Sequence, residues 1–319
     1  MNVYEALEVQ KNPEYAEHLK KSQEFAGDLF DREKILAFGG EYGILPEDVK
    51  EQVLIALNEI KADEGYIALC KAILYFMENN LPVTLLAPPF EEGIKAEFAM
   101  FFPVWYMAER FVRDAERRGV PKEILTKSFS GICGCIRKNK EFKGCMGSSA
   151  FFFWLPYHAK GKLFTINDFQ YETAEHNGKN AVGVHIPSGT KLDVVSNLRS
   201  FKEALDFFDR FYPELNMSGM VCESWLLSPQ VEEVMGKKTN ISRFGDMFGR
   251  FDTGDTKGMA VFRFVYGFSE PYPSVDELPE NTTLQRKMKE YMKAGKRVCA
   301  YGGFISREDV ERKLKEAEG

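Results

Sequence analysis

The hydrophobic pattern of the chain changes near residue 160, and this change constrains the fold more than any other feature. Before it, apolar residues recur every three or four positions, as in the segments 47–63 and 65–80, which is typical of helices. After it, short stretches rich in Val, Phe, Thr and Tyr are separated by turn residues, which indicates strands. We therefore predict an α+β fold, with a helical domain at 1–150 and a mixed-sheet domain with packed helices at 151–319.

The order of elements in the second half predicts the sheet topology. Asn177-Gly178 is a strong hairpin signal, so the stretch 162–175 should pair antiparallel with a strand at Asn180–Ile186. A helix at Asp193–Tyr212 and a strand at Gly219–Leu227 follow. A strand, helix and strand in one sheet normally form a right-handed parallel crossover. The two strands that flank this helix should therefore lie parallel.

The remaining segments give weaker predictions. We expect a second hairpin from strands at Gly249–Thr253 and Ala260–Gly267, and helices at about Thr282–Lys293 and Arg307–Ala317. In the first half we expect a helix kinked at Pro103, and no strand before residue 160.

Charge and composition exclude several functional classes. The formal net charge is −6 and neither half is basic, so nucleic acid is not an expected partner. No apolar run reaches the ~18 residues of a membrane span, and the acidic start does not resemble an export signal, so a cytoplasmic location is predicted. Cys133, Cys135 and Cys145 lack the paired spacing of structural zinc sites. We predict no metal, and interpret Gly131–Cys135 as a glycine-rich turn.

Several motifs resemble one protein family along nearly the whole chain. The matching stretches are Phe102–Ile124, Gly161–Phe164, Phe169–Glu172, Val184–Pro187 with Gly189, Cys222–Gln230, Asn240-Ile241 with Arg243-Phe244, Phe262–Gly267, and Leu278-Pro279 with Thr282 and Leu284–Arg286. These motifs resemble a bacterial family that joins an acyltransferase-associated helical domain to a GNAT-like C-terminal domain. The order of elements in the second half is similar to the core of the GNAT superfamily of N-acyltransferases.

The resemblance implies a co-substrate and a place for it. The co-substrate would be acetyl-CoA or another acyl-CoA, and the acceptor an amine of a small molecule or peptide. The turn after the second strand of the first hairpin would hold the CoA pyrophosphate through free backbone N–H groups, hydroxyls and one positive charge. An ordinary polar connection between strand and helix is the alternative. The predicted cofactor-binding residues are Ile186, Ser188, Gly189, Thr190 and Lys191.

Four residues are candidates for catalysis. His185 ends the strand that lies beside the thioester in GNAT folds, and a neutral imidazole can take a proton from an ammonium. Glu172 and Glu223 are further candidate bases, and Ser224 could bind the carbonyl oxygen or protonate the leaving thiolate. For each of them a purely structural role is the alternative.

Two other functions stay open at this point. The predicted phosphate turn has one glycine, where typical GNAT proteins carry Gln/Arg-x-x-Gly-x-Gly/Ala, which favours a non-catalytic ligand- or partner-binding module. Cys222 could instead form a thioester as a nucleophile, although a small buried residue is the better interpretation.

Overall fold

The chain forms two compact units. A computed structural model describes residues 3–88, 93–160, 163–268 and 271–319. Unit 1 is Met1–Phe164 and unit 2 is Thr165–Gly319. The division into domains at 150/151 stays a prediction, and Gly161-Lys162 of the family motif lie outside the described residues.

Unit 1 is helical, as predicted, and its described residues up to 160 contain no strand. Helix α4 is buried on most sides, which matches its nearly continuous apolar sequence. The helices are α1 (Pro13–Ser22), α2 (Arg32–Tyr42), α3 (Glu47–Lys61), α4 (Glu64–Glu78), α5 (Gly93–Phe98), α6 (Phe101–Arg117), α7 (Lys122–Lys143) and α8 (Leu155–Ala159).

Two predictions for this unit were wrong. Pro103 does not kink a long helix, because α5 ends at Phe98 and Pro103 lies in the first turn of α6, where a missing N–H costs nothing. Gly131–Cys135 lies inside α7 and not in a turn. A Cβ at Gly131 would come within 2.5 Å of the His158 ring, so close packing explains this glycine.

Residues 163–268 and 271–319 form a mixed six-stranded sheet with packed helices, so the predicted fold class is confirmed. The strand order is β1-β2-β3-β4-β6-β5; β3 and β4 are parallel, whereas β2–β3, β4–β6 and β5–β6 are antiparallel. The elements are β1 (Leu163–Ile166), β2 (Phe169–His176), β3 (Lys179–His185), α9 (Val194–Phe211), β4 (Gly219–Ser224), α10 (Gln230–Met235), α11 (Asn240–Gly245), β5 (Gly249–Asp252), α12 (Ala260–Phe264), α13 (Thr283–Lys293), β6 (Tyr301–Ser306) and α14 (Arg307–Glu318).

The first hairpin and the crossover have the expected local causes. Asn177 and Gly178 both adopt positive φ, at 50° and 72°, and this turn fixes the register of β2 against β3. The side chain of Asp193 caps α9, and Pro213 follows the end of the helix. The predicted parallel arrangement of β3 and β4 is confirmed.

One strand boundary, one element type and one strand pairing predicted for unit 2 were wrong. Strand β4 ends at Ser224, because the Ser224 hydroxyl accepts a hydrogen bond from Leu226 N at 3.2 Å and starts a 3₁₀ turn. Residues 260–264 form α12 and not a strand, a common ambiguity for a short apolar run. The antiparallel partner of β5 is instead β6, which the sequence did not predict.

The two faces of the sheet differ in burial. On one face Tyr171, Val184 and Cys222 are buried, and α9 packs there through Phe201, whose ring lies 6.4 Å from that of Tyr171. The other face holds Glu172 and His185, which are only partly buried. We call the first the core face and the second the open face.

Candidate functional site

The parallel strands β3 and β4 pair over a short distance only. Their registered pairs are Val182 with Met220 and Gly183 with Val221. Strand β3 continues to His185 and β4 continues to Ser224. In the described part of the chain, the residues of these two continuations do not pair with each other. The two strands therefore stop pairing before their carboxyl ends, beside His185.

The turn that follows β3 offers backbone donors to solvent. Gly189 has a φ of +88°, and Ser188, Gly189 and Lys191 are exposed. Among the described residues, none accepts a hydrogen bond from their backbone N–H groups. Neighbouring unpaired amides of this kind form a concave site that suits an anion.

Two side chains fix this turn and limit what it can bind. Thr190 N donates to Pro187 O at 3.2 Å, and its hydroxyl lies 2.8 Å from Pro187 O and 3.1 Å from Asp168 O, so this residue supports the turn. The carboxylate of Asp193 accepts from Ser196 N at 2.9 Å, and this hydrogen bond lowers its pKa. The start of α9 is thus already capped by an anion, and the exposed amides of the turn are the available donors.

The first hairpin brings two predicted catalytic residues together. Glu172 Oε1 lies 2.8 Å from His185 Nε2, with side-chain exposures of 17 % and 29 %. Glu172 is paired with Gly183 across the hairpin. A Cβ at position 183 would lie 2.8 Å from Glu172 Cγ, so the glycine leaves the space in which the glutamate side chain lies. A carboxylate that is hydrogen-bonded to an imidazole forms a pair that can take up and release a proton.

The other two catalytic candidates lie on opposite faces. Glu223 is exposed and shares the open face with Val221, which pairs with Gly183. Ser224 faces the other way, and its hydroxyl is the acceptor for Leu226 N. The structure therefore places Glu223 on the face of the Glu172–His185 pair and leaves Ser224 apart from them.

The environment of Cys222 does not favour a nucleophile. Burial raises the pKa of this thiol to about 12, so the thiolate is scarce at neutral pH. The neighbouring Tyr171 is also buried, with its hydroxyl 2.6 Å from Ser200 Oγ. Both side chains belong to the core of unit 2.

Other features of the described chain lie away from these residues. No three His, Cys, Asp or Glu side chains within the described ranges gather as metal ligands. A cavity of about 860 Å³ in unit 2 lies at the opposite end of β3, lined by His176, Asn216 and Arg307 among others. No helix in the described ranges is long and apolar enough to cross a membrane.

Sequence reasoning missed two residues near the site. The role of Gly183 follows from the hairpin register, which the Asn177-Gly178 turn fixes, so its signal was present in the sequence. Asn197 is a polar residue on the apolar stripe of α9, and it is buried.

Comparison with known protein families gives one match over more than half of the chain. The model of the GNAT-like C-terminal domain matches residues 123–305. A comparison with curated protein sequences gives no match.

Acyltransferases are among the solved structures with a similar fold. A mutant acyltransferase in complex with octanoyl-CoA has a TM-score of 0.78 and 22 % identity, over 95 % of this chain and 98 % of that one. An acyltransferase in complex with decanoyl-CoA and teicoplanin has a TM-score of 0.78 and 21 % identity, over 96 % and 99 %. Identities of 21 % and 22 % show that this chain shares the fold of these structures, and show nothing more.

Proposed function

The chain belongs to the family of the GNAT-like C-terminal domain, and on this basis we propose that it transfers an acyl group from CoA to an amine. The observation that carries the proposal is the early end of the β3–β4 ladder at Gly183 and Val221. In the GNAT folds that this chain resembles, the thioester lies beside the strand that corresponds to β3. Here the gap opens beside His185, and the turn with exposed amides follows directly.

The proposed reaction uses the groups on the open face. The Glu172–His185 pair, in which the two side chains are 2.8 Å apart, first takes a proton from the ammonium form of the acceptor. The lone pair of the neutral amine then attacks the thioester carbonyl, a C–N bond forms and the C–S bond breaks. The proton that the nitrogen loses as the amide forms passes to the leaving CoA thiolate. Glu223 and Ser224 stay predicted participants.

The proposed CoA contacts are those of the turn. The N–H groups of Ser188, Gly189 and Lys191 would donate to the diphosphate, and the Lys191 ammonium would add charge. Thr190 and Ile186 would position the turn. Structural neighbours hold octanoyl-CoA and decanoyl-CoA, which supports an acyl-CoA co-substrate for this chain. Acetyl stays the predicted acyl group, with a cytoplasmic location and a small-molecule or peptide amine as acceptor.

A non-catalytic binding module is the second candidate. The single glycine of the turn and the Asp193 carboxylate at the start of α9 both favour it, because each weakens the case for diphosphate binding. In that case the fold would serve a different ligand or a protein partner.

Ligand-dependent melting followed by a turnover assay tests the proposal. At about 100 times the dissociation constant, CoA should stabilise the protein by about 2.7 kcal/mol and raise the melting temperature by about 4 °C. Acetyl-, octanoyl- and decanoyl-CoA are then assayed for thiol release with an amino sugar, a polyamine and a peptide α-amine. CoA binding without turnover would favour the binding module, and no binding at millimolar CoA would refute the acyltransferase.

A further inference from the structure

The side chain of Asn197 in unit 2 is buried with a hydrogen-bond donor that has no acceptor among the described residues. Asn197 is 1 % exposed, and no acceptor for its Nδ2 exists among the described residues. Its own backbone N donates to Asp193 O at 2.9 Å, as the helix requires. A buried, unpaired amide is costly, and native proteins contain few of them. The presence of Asn197 therefore needs an explanation, because an apolar residue such as leucine at this position would bury no unpaired donor.

The helical geometry of α9 directs Asn197 toward the middle of the sheet. With 3.6 residues per turn, Phe201, Ala204 and Phe208 lie within about 40° of it, along the centre of the buried stripe. Ser200 lies about 60° to one side, and its hydroxyl shares a hydrogen bond with the Tyr171 hydroxyl of β2. Phe201, about 40° to the other side, packs on Phe248 with the two rings 5.7 Å apart, and Phe248 lies against Gly303 of β6. The direction of Asn197 therefore lies between β2 and β6, over the parallel strands β3 and β4.

Its position along the strands coincides with the end of the ladder. The ring of Phe201 lies 5.7 Å from that of Phe169 and 6.4 Å from that of Tyr171. Tyr171 pairs with Val184, one residue beyond the last β3–β4 pair. Asn197 is four residues nearer the start of α9, which is about 6 Å of helix, or about two residues of strand. It therefore lies over the carboxyl end of β3, where β3 and β4 no longer pair.

We infer that Asn197 is a binding residue for the acyl donor, and that its Nδ2 donates a hydrogen bond to an amide or thioester carbonyl of the CoA thiol arm. The inference rests on the proposed function. A neutral amide donor in an apolar setting suits a neutral carbonyl oxygen and not the diphosphate, which the exposed amides of the turn would hold. Asn197 would approach the gap from the core face, while the Glu172–His185 pair lies on the open face.

The Asn197→Leu variant separates binding from folding. Leucine has a similar size and no unpaired donor, so the melting temperature of the ligand-free protein should stay the same or rise. The dissociation constant for CoA, measured by titration calorimetry, should increase about threefold to tenfold. Asn197→Ala should weaken CoA binding as well, with a lower melting temperature because it leaves a void.

Ser200→Ala is the matched control, because this neighbour on the same helix has its partner within the protein. It should lower the melting temperature and leave the CoA dissociation constant unchanged. If the wild-type protein does not bind CoA, the proposed function fails. If the wild type binds and Asn197→Leu binds equally well, the inference alone is refuted. It is also refuted if both Asn197 variants fail to fold, since the amide would then be structural.

Discussion

The substitution Gly183→Ala should disconnect the proposed base without unfolding the sheet. The new methyl group would lie 2.8 Å from Glu172 Cγ and 3.3 Å from Glu172 Oε1, both closer than carbon and oxygen atoms normally approach. The flexible glutamate side chain can move away more easily than the strand can. Its carboxylate would then leave His185 Nε2, from which it is now 2.8 Å distant.

The expected magnitudes differ for activity and stability. Displacement of a positioned catalytic group by about 1 Å can cost about 100-fold, so kcat/KM should fall about 10- to 100-fold. Gly183 has no positive φ, so alanine fits the strand backbone, and the free energy of unfolding should change by no more than about 1 kcal/mol. CoA affinity should be unchanged, since the turn amides are untouched.

A double-mutant cycle and a glycine control give the decisive comparison. If Gly183→Ala acts through Glu172, then adding it to Glu172→Ala should cause little further loss of activity. Gly249→Ala on β5 is the control, because a methyl group there would meet, among the described residues, only Phe304 O at 3.4 Å. Its kcat/KM should match that of the wild type. Full activity in Gly183→Ala, or additive losses in the double mutant, would refute the role of the Glu172–His185 pair.

Three further predictions concern single residues. His185→Ala should lower kcat by about 10²- to 10⁴-fold in the acyl-transfer assay while CoA affinity is retained, and an unchanged kcat would argue against it as base. Lys191→Ala should weaken CoA binding about threefold to tenfold and flatten its salt dependence in titrations at low and high salt; equal salt dependence would contradict diphosphate binding. Burial raises the pKa of Cys222 to about 12, so its contribution to stability is complete below the unfolded thiol pKa near about 8.5 and is lost as the pH rises toward the folded value. Between pH 8 and pH 10, the free energy of unfolding in urea should therefore fall by about 2 kcal/mol more in the wild type than in Cys222→Ala, and the variant should keep its turnover. An equal fall in both proteins would contradict the buried thiol.

Part of the site was predictable because a two-residue turn fixes a register. Asn177-Gly178 identified the hairpin, and counting back from the turn pairs Glu172 with Gly183. The apolar stripe of α9 and its flanking strands were predictable for the same reason, since periodicity and turn residues agree there.

Strand β6 was not predictable from local sequence. Gly302-Gly303 removes the usual strand signal, yet both glycines are required by packing: a Cβ at Gly302 would lie 2.1 Å from the Phe251 ring. The requirement at Gly302 comes from β5 and that at Gly303 from Phe248 and Leu227, so neither is visible in the sequence around Tyr301–Ser306. The early end of the β3–β4 ladder is likewise a tertiary property, because strand propensity does not tell how far two strands pair.

A crystal structure with bound CoA tests the central claim most directly. We predict density for the diphosphate within hydrogen-bond distance of the backbone N atoms of Ser188 and Gly189, with the thiol arm passing between the ends of β3 and β4 toward His185. A diphosphate bound instead in the 860 Å³ cavity beside His176 and Arg307, with β3 and β4 closed along their full length, would contradict the account.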